Sequence, residues 1–213
     1  MIKFNFKLNK DTISATVPEG WHEVKLKHVL ALETGWNGES TDMVGLLSAL
    51  TGEDYNDLEN AKGDLWNPLF KVLGYVFEAP DWKRIKKPKS VTLGSKVLKP
   101  PTNLLLECFG QKVLALNLIT TETDQINNIA DVIAIYLQPA YDGKFVSDRV
   151  PDIKKMVLEM NAFEAMPYGL FFLKNLLRPK NYGLVGLIPS RKTMKNLLSL
   201  QRPAPTNYAN SAT

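Results

Sequence analysis

The sequence is poor in the residues that most chemistry needs. It has one cysteine, Cys108, and two histidines, His22 and His28, in 213 residues. One cysteine closes no internal disulfide. Two histidines six positions apart, with no cysteine partners, fall short of most zinc sites. Both are read as exposed or half-buried structural residues. Cys108 stands beside Leu104, Leu105, Leu106 and Phe109 and is read as a buried small hydrophobe, not a reactive thiol. No apolar run reaches the roughly 18 residues that span a bilayer. Residues 1–6 alternate apolar and polar instead of forming the apolar core of a signal peptide, so a cytosolic origin is expected. Phosphate loops are missing too: neither Gly-x-x-x-x-Gly-Lys-Ser/Thr nor Gly-x-Gly-x-x-Gly occurs, and there is no Gly-x-Ser-x-Gly elbow. No enzyme activity, metal or cofactor is expected.

What is present is an ordinary globular composition, 45% hydrophobic and 23% charged, which argues against global disorder. The charge is unevenly placed. From residue 174 onward there are seven Lys or Arg and no Asp or Glu, so the first 173 residues carry −3 of the net +4 (+4 less +7). A mildly acidic body with a basic tail points to nucleic acid, an acidic membrane face or an acidic protein partner.

The same layout occurs twice. Val29-Leu30-Ala31-Leu32 is matched 84 residues later by Val113-Leu114-Ala115-Leu116. Met43 to Leu50 then matches Ile129 to Tyr136 in apolar pattern. Each copy is preceded by a hairpin signal. Ile2, Phe4, Phe6 and Leu8 alternate with polar residues, Asn9-Lys10-Asp11 turns, and residues 12–17 return until Pro18. Later Ser90-Val91-Thr92-Leu93, a Gly94-Ser95 turn and Lys96-Val97-Leu98 end at Pro100-Pro101. Helices are expected after each hairpin. Leu26, Val29, Leu30 and Leu32 form one stripe; Ser40-Thr41-Asp42 caps a helix that Gly52 closes; Asp64 opens another with Leu65, Leu69, Val72, Leu73 and Val76 inside. In the second copy Thr123-Asp124 opens a helix that Pro139 ends, and Asp152 opens one carrying Ile153, Met156, Val157 and Met160. A last one, running from Leu170 to Leu177, follows Pro167 and Gly169. The predicted fold is α+β and mostly helical, two hairpin-plus-helices units packed together: 1–85 the first, 86–178 the second, 179–213 a basic C-terminal arm.

Acidic clusters invite a chemical reading and do not sustain it. Residues 53–59, Glu-Asp-Tyr-Asn-Asp-Leu-Glu, lack the central glycine and alternating ligands of a calcium loop; they suit the first turn of a short helix. Glu122-Thr123-Asp124 reads the same way, and Asp142-Gly143-Lys144-Phe145 reads as a turn. The basic residues divide into two groups. Lys83, Arg84, Lys86, Lys87 and Lys89 lie beside Trp82 in what reads as a solvated linker, and Arg191, Lys192 and Lys195 lie in a short arm helix over 191–200. Charge beside an aromatic suits single-stranded nucleic acid, but interleaved stacking residues and a DNA-reading motif are missing. The arm also carries Leu184, Val185, Leu187, Ile188, Met194, Leu197 and Leu198. These need an apolar surface, found either on the chain's own body or in a neighbour's groove.

Three stretches carry a family likeness. Pro18-Glu19-Gly20-Trp21-His22-Glu23-Val24, residues 131–143 (Asp-Val-Ile-Ala-Ile-Tyr-Leu-Gln-Pro-Ala-Tyr-Asp-Gly) and Gly169-Leu170-Phe171-Phe172-Leu173-Lys174 resemble small proteins of tailed bacteriophages infecting Bacteroidetes hosts, crAss-like phages among them. The likeness covers most of residues 17–177 and leaves the arm outside. It implies a non-enzymatic virion structural or packaged protein acting through protein–protein contacts. The alternatives are a tail-assembly chaperone absent from the mature particle, and a DNA-contacting phage protein using the basic linker and arm. Expected partners are other phage virion or assembly proteins, then further copies of the chain, with nucleic acid less favoured. The expected location is the virion, and the bacterial host cytoplasm during assembly.

Overall fold

The computed structural model describes residues 1–8, 11–35, 42–61, 71–104, 108–119 and 126–177. Among these the chain is an α+β fold dominated by helices, with two separate antiparallel hairpins. Strands β1 (Ile2–Leu8) and β2 (Asp11–Val17) pair from Ile2 opposite Val17 to Leu8 opposite Asp11. Their alternation does what the sequence implies: Phe4, Ala15 and Val17 are buried while Ser14 and Thr16 face solvent. Strands β3 (Val91–Leu93) and β4 (Lys96–Leu98) form the second, much shorter hairpin. Gly94 turns it at φ +59°, a backbone conformation that favours glycine.

Helix signals in the first unit translate directly. Helix α1 (Leu26–Gly35) buries Leu26, Val29 and Leu32. Helix α2 (Met43–Thr51) starts where the Asp42 carboxylate accepts the Gly45 N–H at 2.9 Å. It ends where left-handed Gly52 donates to Ser48 at 2.8 Å. Asp54 caps α3 (Tyr55–Glu59) by accepting from Asn56 and Asp57, so this acidic run is a helix start as expected. Leu73 and Val76 are buried. The helix start at Asp64, with Leu65 and Leu69, lies outside the described residues, as do the Asn9-Lys10 turn and Thr123-Asp124.

The second unit departs from expectation at both prolines. Helix α5 (Ile129–Asp142), which follows α4 (Phe109–Asn117), runs through Pro139 and closes at Gly143. Proline lacks the N–H that would bond the carbonyl four residues back. That carbonyl, on Ile135, instead accepts from the Gln111 side chain at 3.2 Å. Gln111 also accepts the Cys108 N–H at 3.1 Å, which starts α4, so one side chain both caps α4 and repairs α5. Helix α6 (Val150–Leu158) is followed by α7 (Ala162–Leu176), which Asn161 caps and which continues through Pro167. The last helix therefore begins before Pro167, not after Gly169.

Helix α5 is buried on nearly every side, from Ile129 through Gln138 with only Asp131 partly open, as befits a central helix. It packs against α4, α6 and α7. Tyr136 stacks on Phe172 of α7 with ring centres 4.7 Å apart. The two units are tied together. Leu26 of α1 belongs to the core built around α5. The Leu26 N–H donates to Met160 at 2.9 Å and the Ala162 N–H to Val24 at 2.8 Å. Trp21, Tyr75 and Trp82 meet edge to face at 5.5–5.7 Å, and Trp82 reaches Phe163 of α7. Trp21 also donates its indole N–H to the Tyr75 carbonyl at 2.8 Å. The segment at 81–89 is thus not a solvated linker throughout: Trp82 is only 8% exposed.

Candidate functional site

The basic residues of the connecting segment are split by the fold. Lys83, Arg84, Lys86 and Lys89 are exposed, whereas Lys87 is half-buried. Arg84 pairs with Asp81 at 3.1 Å. The Lys87 ammonium lies 3.5 Å from the centre of the Phe171 ring and 5.5 Å from that of Tyr168, and burial lowers its pKa. Tyr168 donates its hydroxyl to the Pro88 carbonyl, pinning the segment onto α7. Trp82 packs in an aromatic cluster and is only 8% exposed, which leaves little of its ring for a base to stack on. Arg191, Lys192 and Lys195, and the arm residues Leu184, Val185, Leu187, Ile188, Met194, Leu197 and Leu198, lie outside the described residues.

Two apolar surfaces emerge that the sequence reading missed. The first is on α4. Phe109 is 82% exposed, and Val113 and Leu116 are more than one-third exposed. Their spacing of four and then three residues places them on one face. In the matching helix α1, Val29 and Leu32, the counterparts of Val113 and Leu116, are buried. The pattern was visible in the residues; only packing shows that one copy is covered and the other bare. Cys108, at the head of α4, is exposed and not buried, while Gln111 three residues on is the buried residue at this end of the helix. The second surface is a groove of about 450 Å³ between the connecting segment and α7, lined by Trp82, Ile85, Leu170, Phe171 and Leu177 among others.

His28 corrects another expectation, being 8% exposed. Its Nδ1 accepts the Lys25 N–H at 3.2 Å. Burial, and then the neighbouring Lys27 and Lys25, lower its pKa to about 4, with Glu159 opposing. Glu159 binds both lysines, at 2.6 and 2.7 Å, and those hydrogen bonds hold its own pKa down. The cluster fastens the start of α1 to the end of α6. It has a pH signature. The folded pKa of His28 lies below its unfolded value of about 6.5, so its stabilising contribution is complete above pH 6.5 and is lost as pH falls toward 4. At about 1.36 kcal/mol per pH unit the loss reaches up to about 3 kcal/mol. Urea midpoints measured from pH 7 to pH 4.5 should fall for the parent chain and flatten for His28→Asn; equal slopes would refute the assignment.

Among the described residues no three His, Cys, Asp or Glu side chains are grouped to hold a metal ion. No described helix is long and apolar enough to cross a membrane. The chain matches no protein family, curated protein or solved structure in the three comparisons.

Proposed function

We propose that this chain is a non-enzymatic protein of a tailed-phage particle or of its assembly, working through protein–protein contacts. The observation that carries the reading is the bare face of α4. A helix that leaves Phe109, Val113 and Leu116 in water forgoes burial stabilisation worth about 25 cal/mol per Å², and contact with another protein recovers it. The sequence resemblance supplies the phage setting. The fold supports the mode of action: α4 is held firmly by Gln111 and Ala115 on its inner side, so the outer face is presented on a rigid element.

Mass spectrometry of purified virions tests the setting. A fixed copy number supports a virion component; absence from virions with recovery in assembly intermediates supports a chaperone. Absence from both overturns the reading. The mode is tested separately by Phe109→Gln with Val113→Gln. Exposed substitutions by a good helix former change stability by roughly 1 kcal/mol or less in total. Recovery of the partner on affinity-tagged protein is expected to drop about tenfold or more, equivalent to 1.4 kcal/mol. Unchanged recovery would remove α4 from the interface.

A further inference from the structure

The groove beside α7 has a chemical character of its own. Trp82 and Ile85 form one wall; Pro167, Leu170, Phe171 and Leu177 form the other. Among the described residues, the charged ones lining it, Lys83, Lys87 and Lys174, are all cations. Its volume of about 450 Å³ lies within the roughly 300–1,000 Å³ of clefts that bury most of a ligand. Lys87 is held against an aromatic face at the edge of this space and is partly stripped of water. No described carboxylate forms an ion pair with Lys87 or Lys174.

We propose that this groove receives an acidic amphipathic segment of a partner protein. Its apolar side chains would settle on Leu170, Phe171 and Leu177, and its carboxylates on Lys83, Lys87 and Lys174. This is the helix-in-groove mode, in which apolar anchors give affinity and rim charges give register. Charge decides against the chain's own arm. The apolar ribbon at 182–189 is flanked by Arg178, Lys180, Arg191 and Lys192, and the arm holds no carboxylate, so seating it there sets cation against cation. Nucleic acid fits less well, because most of the described lining is apolar side chain and not a stacking platform. In sequence the arm follows directly on Leu177, which lines the groove, and its charged side chains are all Lys or Arg. The groove shares no residue with the α4 face, so each surface can fail without the other.

The test uses the full chain and two labelled helical peptides. One has leucines at i, i+3, i+4 and i+7 with glutamates elsewhere; the other has lysines in place of the glutamates. Fluorescence anisotropy should show the acidic peptide binding at least about tenfold tighter. Lys83→Glu with Lys174→Glu, both exposed positions, should weaken the acidic peptide by about tenfold or more, with circular dichroism verifying that the variant is folded. Equal binding of the two peptides, or indifference to the double variant, overturns the proposal. So does stronger competition by a synthetic peptide of residues 179–213, which would make the arm the occupant. Tighter binding to phosphatidylserine vesicles or single-stranded DNA, abolished by the same variant, also overturns it.

Discussion

Gly169→Val should destabilise the protein by about 3 kcal/mol and lower the melting temperature by roughly 6–12 °C, at about 2–4 °C per kcal/mol for a chain of this size. A Cβ at position 169 would lie 2.4 Å from Ile129 Cδ1 and 2.5 Å from its Cγ1, with Ile133 Cδ1 at 3.3 Å. Ile129 and Ile133 are buried on α5, so a valine here forces Ile129 out of its rotamer or lifts α7 away from α5. That movement would also strain the Tyr136–Phe172 stack. Gly169→Ala is the stricter version. Helix propensity alone gives alanine an advantage of about 1 kcal/mol over glycine, whereas the close approach makes alanine a net loss. Pairing it with Ile129→Val, which removes Cδ1, should recover part of the loss as a coupling energy. A more stable Gly169→Ala protein would show that the two helices do not meet as described.

That glycine marks how the family-like motif is used. In Gly169-Leu170-Phe171-Phe172-Leu173-Lys174, Gly169 and Phe172 face the α5 core. Leu170, Phe171 and Lys174 face the groove, while Leu173 serves both. The earlier motif at 18–24 behaves similarly: Trp21 packs edge to face on Trp82 of the connecting segment and against the cluster that contains Ala162 of α7. Both are packing positions.

Local signals were legible because they act locally. The Asp42 cap, the Gly52 terminator, the alternating strands and the acidic start of α3 each depend on neighbours within about one turn. Two of the errors have a different cause, which is compensation from far along the chain. Pro139 would stop a helix whose Ile135 carbonyl was left bare, but Gln111, 24 residues earlier, supplies the donor. Residues 81–89 look solvated by composition, yet Trp82 finds Trp21 and Phe163. The groove needs residues 82–87 and 167–177 on facing walls, a juxtaposition no periodicity announces. The bare face of α4 is the converse case: its spacing is readable, but whether anything covers it is a property of the whole fold.

A second large effect is expected at Gln138, a fully buried polar side chain on α5. Its amide is completely used. Nε2 donates to the Asp142 carboxylate at 2.9 Å and to the Lys144 carbonyl at 3.0 Å, while Oε1 accepts the Val146 N–H at 2.9 Å. One side chain therefore shapes the turn that carries the chain from α5 into α6. Gln138→Leu fills similar space but leaves the Val146 N–H and the Lys144 carbonyl without their partner. Each unsatisfied group costs about 1–3 kcal/mol, and the Lys144 side is open to water, so a loss of about 2–3 kcal/mol is expected. Gln138→Glu should be worse. It keeps an acceptor for Val146 but turns the other oxygen toward the Asp142 carboxylate and the Lys144 carbonyl, placing a buried charge against two acceptors. Chemical denaturation orders the three proteins, and amide exchange locates the damage: the Val146 amide should lose protection in both variants before the α5 core does. A leucine variant within about 0.5 kcal/mol of the parent would mean that water, not Gln138, holds the turn.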